Sequence, residues 1–493
     1  MKRIVCFVLC LVMIMATVAL VSCAEKEKKP DQGDVKPIDP EDNYIEKFEG
    51  LDFEGTAITF ALSSATSPEA NGYRSCLVEE KTGDSVSDAI YDRNELVEKA
   101  LNVDIEVAIT SNHTEFTKTV ETTLQAGDDE YDWLWGQQAN DIDLCLQGYV
   151  YDINRLGEMS YIDPNAKWWA AEYMDHYQYK DELYWLSGPL SLIYNGGASC
   201  VLVNATLYDT NFTESYGDIY DYVRTGNWTI DDFAAMSATV YQDTNGDEKL
   251  DGNDVFGSYN HSWGVMILLG GIGLECSTKN ADGTITFDIT TKNDRYISAM
   301  QRTYNLFEQC VGISNTINAM NGKVDFANGN LLFLINPISS MEGYREMQDD
   351  FYLIPPPKLD TNQTEYRTVM TDGNQIMGLA YTCQHIEAAT ATLELMAYYN
   401  DKMVSDLYFD EVLKYKYSRD EGTAEMVQLC HDSIYTDFVF IWERWIWDAH
   451  WLRYNGYGMG TVSLMKKSEA NWIKRFNETL AKLDELAEVP YEF

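Results

Sequence analysis

Basic residues are scarce in this sequence. Its 493 residues include 36 lysines and arginines against 79 aspartates and glutamates, which gives a net charge of -43 at pH 7. A chain this acidic repels the phosphates of nucleic acids and of anionic lipids, so the composition argues against a nucleic-acid-binding protein. Apolar residues make up 45% of the chain, which is enough to form a substantial folded core.

Histidines are also few, and no two cysteines stand in a Cys-x-x-Cys pair. The six histidines are scattered, so the sequence does not favour a structural zinc site. Three of the ten cysteines lie within the first 23 residues, and the other seven are widely spaced and odd in number. This spacing does not indicate a disulfide framework, and we expect most of the seven to be small buried apolar side chains. They are Cys76, Cys145, Cys200, Cys276, Cys310, Cys383 and Cys430.

Long apolar runs are absent after the N-terminus. The run from Ile4 to Val21 has 18 residues without a charge, follows Lys2 and Arg3, and is itself followed by a lysine-rich polar stretch. A stable membrane-spanning helix usually needs about 20 apolar residues. The pattern is therefore typical of a secretory signal peptide, which we predict to cover residues 1–22.

The signal ends in Leu20-Val21-Ser22-Cys23, which resembles the box at which bacterial lipoproteins are cleaved and lipidated. The resemblance implies that Cys23 carries acyl chains such as palmitate and holds the protein at the extracytoplasmic face of the cell membrane. Residues 23–48 contain three prolines and many charges, so we expect a flexible tether there. The alternative is an ordinary signal peptide with a chance cysteine.

From residue 51 onward the pattern is that of an α/β protein. Apolar and alternating stretches predict strands at Ala57–Leu62, Val103–Val107 and Tyr131–Trp135. Helical spacing of apolar residues predicts helices at Asp88–Ala100 and Phe116–Ala126. Strands that alternate with helices in this way predict a mainly parallel sheet.

Five stretches, taken in order, resemble the solute-binding proteins of ABC importers (family 1, the maltose-binding-like group). They are Gly127–Gln138, Gly148–Ile153, Gly226–Phe233, Asn328–Pro337 and Phe351–Pro357. The third contains the Trp-Thr-x-Asp-Asp-Phe pattern of a helix start, with a threonine and an aspartate spaced as in a capping box. The fourth departs from the group, because leucine and phenylalanine replace its small Ala-Met pair. Leu186–Pro189 and Leu192–Tyr194, with Val201–Asn204, also resemble the group's first crossover into the second lobe, and Gln375–Ala380 resembles the strand after its return crossover.

The resemblance implies an α/β, two-lobed periplasmic-binding-protein-like fold of type II, with hinge-linked lobes and a cleft between them. Residues 49–195 and 358–400 would form lobe 1, and residues 196–357 and 401–493 would form lobe 2 with C-terminal helices. The implied function is that of a monomeric, lipid-anchored receptor, not an enzyme. It would deliver a carbohydrate, an oligosaccharide, to the transmembrane subunits of an ABC importer.

Two other functional classes remain open. A secreted glycoside hydrolase would suit the many aromatic residues and carboxylates, although 79 acids make chance pairs inevitable. A helical glycan-capturing lipoprotein of an outer-membrane uptake complex fits less well, because the first 150 residues are rich in predicted strands. No Gly-x-Ser-x-Gly, His-Glu-x-x-His or Walker motif points to a catalytic site.

Residues 243–254 have the spacing of a calcium-binding loop. Oxygen-bearing side chains fall at loop positions 1, 3, 5, 9 and 12, and position 7 can offer its backbone carbonyl, as in an EF-hand. Glu248 replaces the usual glycine at position 6, and the last ligand is an aspartate instead of a longer glutamate. We predict a structural Ca²⁺; the alternative is a solvated acidic turn. The ligands would be Asp243, Asn245, Asp247, Lys249, Asp251 and Asp254.

The candidate ligand-binding residues are aromatic and amide side chains. Trp135 ends a predicted strand that should run towards the cleft, and Gln137 and Gln138 follow it. An indole ring packs well on the C–H face of a sugar, and amides suit its hydroxyls. For the other tryptophans a place in the core is the stronger alternative. Further candidates are Trp263, Asn336, Trp445 and Asp372, with Gly373 and Asn374 beside it.

Overall fold

A computed structural model describes residues 44–63, 71–111, 113–248, 254–259, 262–310, 313–314, 326–370, 373–416, 420–443 and 461–491. The chain divides into two units, residues 1–49 and 50–493. In the first, Tyr44–Phe48 forms a 3₁₀-helix in which the Lys47 ammonium lies 3.9 Å from the centre of the Tyr44 ring. No helix within the described ranges is long and apolar enough to cross a membrane.

The second unit contains eleven described strands. In chain order they are β1 (Thr56–Ser63), β2 (Val103–Ser111), β3 (Trp133–Gln137), β4 (Ser199–Asn204), β5 (Ser258–Tyr259), β6 (Ser277–Lys279), β7 (Ile285–Phe287), β8 (Ile313–Ser314), β9 (Phe333–Pro337), β10 (Phe351–Ile354) and β11 (Gln375–Leu379).

The α-helices described in this unit fall between the strands and after the last of them. They are α1 (Asn71–Cys76), α2 (Ser85–Leu101), α3 (His113–Ala126), α4 (Gln138–Asp141), α5 (Ala171–Asp175), α6 (Leu192–Gly196), α7 (Ala205–Asn211), α8 (Thr213–Tyr216), α9 (Ile219–Arg224), α10 (Ile230–Val240), α11 (Ser262–Gly271), α12 (Asp294–Gln309), α13 (Ile386–Asn400), α14 (Glu421–Asp432), α15 (Phe438–Trp442) and α16 (Thr461–Ala487). Short 3₁₀-helices cover Ile142–Gln147, Ile153–Arg155, Gly157–Met159, Phe326–Asn328 and Ile338–Tyr344, and π-helical turns cover Asp401–Ser405 and Leu407–Lys416.

The first sheet, sheet A, has the strand order β11-β3-β1-β2. Strand β1 runs parallel to both β2 and β3, and only β11 is antiparallel to its neighbour, which confirms the prediction of a mainly parallel sheet. Strand β3 begins at Trp133, two residues later than predicted. The reason is that Asp132 binds Thr59 through its carboxylate, at 2.8 Å, as well as through its backbone N–H.

The second sheet, sheet B, has the order β10-β4-β9, and both of its pairings are antiparallel. Every residue of the central strand β4 is buried. Helix α10 begins where the sequence predicts, since the Thr229 hydroxyl and the Asp232 carboxylate form the reciprocal bonds of a capping box. These bonds fix the direction in which the helix leaves the preceding loop.

Six of the seven cysteines beyond residue 23 are buried, and Cys310 is half-buried. Burial raises the pKa of these thiols, that of Cys76 to about 12. The prediction that most of them act as small apolar core residues is therefore confirmed.

The strands of sheet A all fall within the predicted lobe 1, and those of sheet B within the predicted lobe 2. The chain after α13 contacts elements attached to both sheets: the π-helical turns pack against α2 and α6, whereas α14 packs against β10. The exact lobe bounds, and with them the assignment of residues 401–493 to lobe 2, stay a prediction.

Candidate functional site

Polar side chains meet where the strands of sheet A end. Strands β1 and β3 end at Ser63 and Gln137, and β11, which runs the other way, begins beside them at Gln375. The edge at which parallel strands end is where open α/β sheets bind ligands. The polar side chains of this edge therefore form the candidate site.

Four uncharged side chains, the amide cluster, bond to one another at this edge: Gln138, Asn374, Tyr173 and Ser187. The Gln138 Oε1 atom accepts hydrogen bonds from the Tyr173 hydroxyl at 2.7 Å and from Asn374 Nδ2 at 3.2 Å. Asn374 Nδ2 also donates to the Ser187 hydroxyl oxygen at 3.2 Å. All four side chains are buried, so the edge of sheet A presents amides and hydroxyls with their orientations fixed.

The Asn374 oxygen stands out within the amide cluster. Its Nδ2 donates to two acceptors, and its Oδ1 lies at the opposite end of the amide. That Oδ1 atom is buried and has no hydrogen-bond partner within the part of the chain that the structure describes. Leaving a buried acceptor unbonded costs about 1–3 kcal/mol, so such atoms normally meet a water molecule or a ligand.

Gln375 connects the amide cluster to the passage of the chain from sheet A to sheet B. Its Oε1 accepts a hydrogen bond from the Ser191 hydroxyl at 2.9 Å, and its Nε2 donates to the Ser63 carbonyl at 3.3 Å. Ser191 is in turn the N-cap of α6, which leads directly into β4. The polar edge of sheet A is thus bonded to the segment at which a hinge is expected.

Gln137 is partly exposed beside the amide cluster. Its Oε1 accepts a bond from Asn140 Nδ2 at 2.6 Å, and its backbone N–H donates to the Asp141 carboxylate, also at 2.6 Å. Asp141 is buried, and this burial raises its pKa to about 6 although the Thr117 hydroxyl bonds to it. Gly136 is needed here, because a Cβ atom would lie 2.7 Å from that of Asp141.

Trp135 lies inside the protein in this conformation. Its side chain has no exposed surface, and its ring centre is 6.0 Å from that of Phe60. Its Nε1 is buried and has no hydrogen-bond partner among the residues the structure describes. A ligand could stack on this ring only after a rearrangement, so its stacking role stays a prediction while its packing in the core is a structural fact.

Asn336 lies at the end of β9, opposite Cys200 of β4, and is partly exposed. The end of α6 approaches the same edge of sheet B, since a Cβ atom on Gly196 would lie 2.9 Å from Ser339 Cβ. Trp263 lies at the start of α11, and Asp372, Trp445 and Cys23 lie outside the described residues. The structure thus brings together Gln137, Gln138 and Asn374, and it adds Tyr173 and Ser187.

The sequence offered no local signal for two of these residues. Tyr173 lies 35 positions from its partner Gln138, in a short helix with no motif, and it is one of 33 tyrosines in the chain. Ser187 lies between strands, in the Leu186–Pro189 stretch, whose resemblance to a crossover between lobes does not identify its side chain as a binding group. Only the folded chain shows that they meet.

No family model matches the sequence, and no curated protein matches it either. Solved structures do match. An ABC substrate-binding protein from Listeria monocytogenes in complex with cycloalternan superposes with a TM-score of 0.55 at 13% identity, covering 86% of this chain and 99% of that chain. A cyclo/maltodextrin-binding protein complexed with maltotetraose gives a TM-score of 0.56 at 12% identity, with 85% and 97% covered. The chain has the periplasmic-binding-protein fold.

A third structure with this fold, CpMnBP1 with mannotriose bound, gives a TM-score of 0.53 at 13% identity, with 85% of this chain and 100% of that chain covered. The predicted fold class is therefore confirmed. Periplasmic-binding-protein folds close by hinge motion around a ligand held between two lobes. That the edge of sheet A carrying the amide cluster faces such a cleft stays a prediction.

The acidic loop is only partly described, because Lys249 and Asp251 lie outside the described residues. The Asp243 carboxylate accepts backbone N–H bonds from Glu248 at 2.9 Å and from Gly246 at 2.7 Å. These bonds, that from Glu248 foremost, lower the pKa of Asp243. Asp254 accepts a bond from the Thr244 N–H at 3.2 Å, closing the loop across its two ends.

One backbone position in this loop has the conformation expected of a calcium-binding loop. Glu248 has φ = +61°, a conformation that favours glycine, and it occupies the position where EF-hand loops carry glycine. Oxygen donors of the right kind are present in Asp243, Asn245 and Asp247. No group of three or more candidate metal ligands is assembled among the described residues, so the calcium site stays a prediction.

Proposed function

We propose that this protein is a solute-binding receptor of an ABC importer and that its ligand is an oligosaccharide. The observation that carries the proposal is the fold match over about 85% of the chain to binding proteins whose structures hold cycloalternan, maltotetraose and mannotriose. The likeness in fold supports the general role, and the chemistry of the cleft edge supports the choice of ligand class.

The amide cluster suits a ligand that has many hydroxyl groups and no charge. Amides and hydroxyls both donate and accept hydrogen bonds, as sugar hydroxyls do, and sites that bind neutral ligands use a few such groups on a mostly apolar wall. No lysine or arginine takes part in the described cluster, and the net charge of -43 disfavours anionic solutes. An oligosaccharide meets both conditions.

Binding would proceed by lobe closure without any covalent step. The ligand would enter between the lobes, where the partly exposed Gln137 would bond to its hydroxyls from lobe 1 and Asn336 would approach from lobe 2. The buried Gln138 and Asn374 would reach the ligand only after a rearrangement, as Trp135 would. Closure would exclude water and so strengthen these hydrogen bonds. The closed form, held close to the membrane by a lipid on Cys23 and the tether of residues 23–48, would then deliver the ligand to the transmembrane subunits of the importer.

Calorimetric titration of the purified chain against maltotetraose, mannotriose, cellotetraose, a dipeptide and free amino acids tests the proposal. We expect saturable binding of at least one oligosaccharide and none of the peptide or amino acids. Binding only to peptides or amino acids would contradict the carbohydrate assignment but would still agree with a solute-binding receptor. If chromatography instead detects shorter sugars released from the glycan, the alternative function as a glycoside hydrolase would be supported.

A further inference from the structure

Helix α16 extends along parts of the chain that belong to both sheets. It has 27 residues and is therefore about 40 Å long. In its first half, the Glu469 carboxylate accepts bonds from the Thr291 N–H at 3.1 Å and from the Thr291 hydroxyl at 3.2 Å. Farther along, the Phe476 ring lies 5.1 Å from that of Phe287. These partners lie between β4 and β9, in the part of the chain attached to sheet B.

The other end of α16 contacts a segment attached to sheet A. The Arg155 guanidinium donates to the carbonyls of Leu486, at 3.1 Å, and Val489, and so caps the helix end. The Tyr491 hydroxyl accepts a bond from the Asp152 N–H at 2.8 Å. The Lys180 ammonium also bonds to the carboxylate of a helix residue, Asp484.

Residues 152–185 belong with sheet A because the chain pairs with β11 just before and just after them. Before the segment, Tyr151 donates its N–H to the Leu379 carbonyl at 2.9 Å. After it, Leu186 forms an antiparallel bridge with Met377. The segment is therefore a loop that leaves sheet A and returns to it, and its contacts with α16 connect the helix to lobe 1.

The β6–β7 hairpin makes a second connection to the same segment. The Lys180 N–H donates to the Gly283 carbonyl at 2.9 Å, and the Lys279 ammonium bonds to the carbonyl and the carboxylate of Asp175 at 2.8 and 2.6 Å. The fit is close, since a Cβ atom on Gly283 would lie 2.6 Å from Lys180 Cα. The hairpin precedes Thr291 in the chain, so it belongs to the same side as the partners of the first half of α16.

We infer that α16 and the β6–β7 hairpin form a brace that joins the two lobes and sets the angle between them. The end of the brace on the sheet B side is largely apolar, with the Phe476 ring packed against both Phe287 and Phe438. The end on the sheet A side combines the buried Leu483 side chain, which lines a small cavity with Tyr179 and Trp185, with ion pairs and hydrogen bonds that are partly exposed and individually weak.

The brace couples a region outside the amide cluster to ligand affinity, and in this respect the inference rests on the proposed function. A contact that favours the closed arrangement raises affinity, because less of the binding free energy is used to close the lobes. We take the described arrangement, in which the brace is intact, as the one that holds the ligand; loosening the sheet A end should then open the ligand-free protein and weaken binding without touching the amide cluster.

The test compares the double variant Arg155→Ala/Lys180→Ala, a chain that ends at Leu483, and the control Lys482→Ala. Within the described residues, Lys482 bonds only inside α16, to Glu485 at 2.8 Å. We expect both brace variants to show a larger radius of gyration by small-angle scattering. Their affinity for maltotetraose should be about threefold or more weaker, because the partly exposed ion pairs that favour closure are gone. The control should match the parent protein.

Two readouts separate failure of the brace from failure of the proposed function. Hydrogen exchange at residues 484–489 of the double variant shows whether the sheet A end has been released, and melting curves show whether each variant is folded. Release with an unchanged radius of gyration would overturn the brace. If neither maltotetraose nor mannotriose binds the parent protein, the proposed ligand class fails. The radius of gyration of the brace variants, compared with that of the parent protein, still shows whether the brace sets the angle between the lobes.

Discussion

At the scale of single residues, Asn374 makes the sharpest prediction about binding. Its amide nitrogen is held by Gln138 and Ser187, so its unbonded oxygen is presented in one direction. We expect Asn374→Ala to weaken oligosaccharide binding by about 1–3 kcal/mol, measured by calorimetry, because a buried hydroxyl of the ligand would lose its acceptor. The exposed amide Asn227, changed to alanine, is the control. Unchanged affinity would show that this oxygen bonds to water and not to the ligand.

Trp135 provides a prediction about stability. Because its ring is fully buried, Trp135→Ala should lower the free energy of unfolding by about 3–5 kcal/mol, the usual cost of truncating a large core aromatic. Trp133, buried on the same strand with its indole N–H bonded to the Ala389 carbonyl at 3.0 Å, is the reference for a purely structural tryptophan. A variant with lost binding but an almost unchanged melting curve would instead establish Trp135 as the stacking platform.

Cys23 makes a prediction about location. If the lipoprotein box is used, Cys23→Ala should release the protein from the membrane fraction without changing its melting temperature, since the predicted tether lies ahead of the folded body. Metabolic labelling with an alkyne fatty acid, followed by fractionation, measures this. Cys10→Ala, in the predicted signal peptide, should still be labelled. A parent protein without any acyl chain would contradict the anchor.

At the scale of single elements, the acidic loop of residues 243–254 can be tested with metal alone. A ligand that binds only the folded state stabilises it by about 2.7 kcal/mol at a hundredfold excess over its Kd. We therefore expect chelation to lower the melting temperature and Asp243→Ala to abolish that sensitivity. Asp163→Ala removes a similar exposed turn carboxylate, which accepts the Asn165 N–H at 3.2 Å, and should leave the response intact. Identical curves with Ca²⁺ and with chelator would contradict the site.

The elements differ in how far the sequence could predict them. Local periodicity sufficed for β1, α2 and α3, whose observed bounds lie within about three residues of the predicted ends. It failed at the start of β3, where a carboxylate of Asp132 replaces the strand ladder. Only part of the amide cluster could be predicted from the sequence. Gln138 follows a predicted strand, whereas its partner Tyr173 is brought there only by folding.

The brace could not be predicted from sequence patterns either, because folding brings its contacting residues together from distant parts of the chain. Arg155 and the carbonyl of Leu486 are 331 residues apart, and neither an exposed arginine nor a helix end indicates its partner. An amphipathic helix near the C-terminus can be predicted from its periodicity, but its two different contact surfaces cannot. Long-range polar contacts of this kind leave no local periodicity.

At the scale of the whole molecule, buried carboxyls govern how stability depends on pH. Burial raises the pKa of Asp141 and Asp437 to about 6 and that of Glu182 to about 7. Between the unfolded values near 4 and these folded values, the folded state binds more protons, so stability falls as the pH rises. The net charge of -43 acts in the same direction, because ionisation increases self-repulsion.

We therefore expect the melting temperature to be several degrees higher at pH 5 than at pH 8, measured by calorimetry. Glu182→Gln should reduce this difference, since its amide oxygen can still accept the Tyr184 hydroxyl, which lies 3.1 Å from the Glu182 carboxylate. The exposed Glu214→Gln is the control. A melting temperature that rises from pH 5 to pH 8 would contradict the assignment of these carboxyls.

The buried thiols described above have a practical consequence for biosensor engineering. Thiol reagents attack the thiolate, and all seven cysteines beyond residue 23 have pKa values raised by burial. A cysteine introduced beside the candidate site at the partly exposed Asn140 (Asn140→Cys) would then be alkylated in preference to these seven thiols in the native protein. An environment-sensitive dye attached there would report occupancy as a change in fluorescence, without first removing any of these seven cysteines.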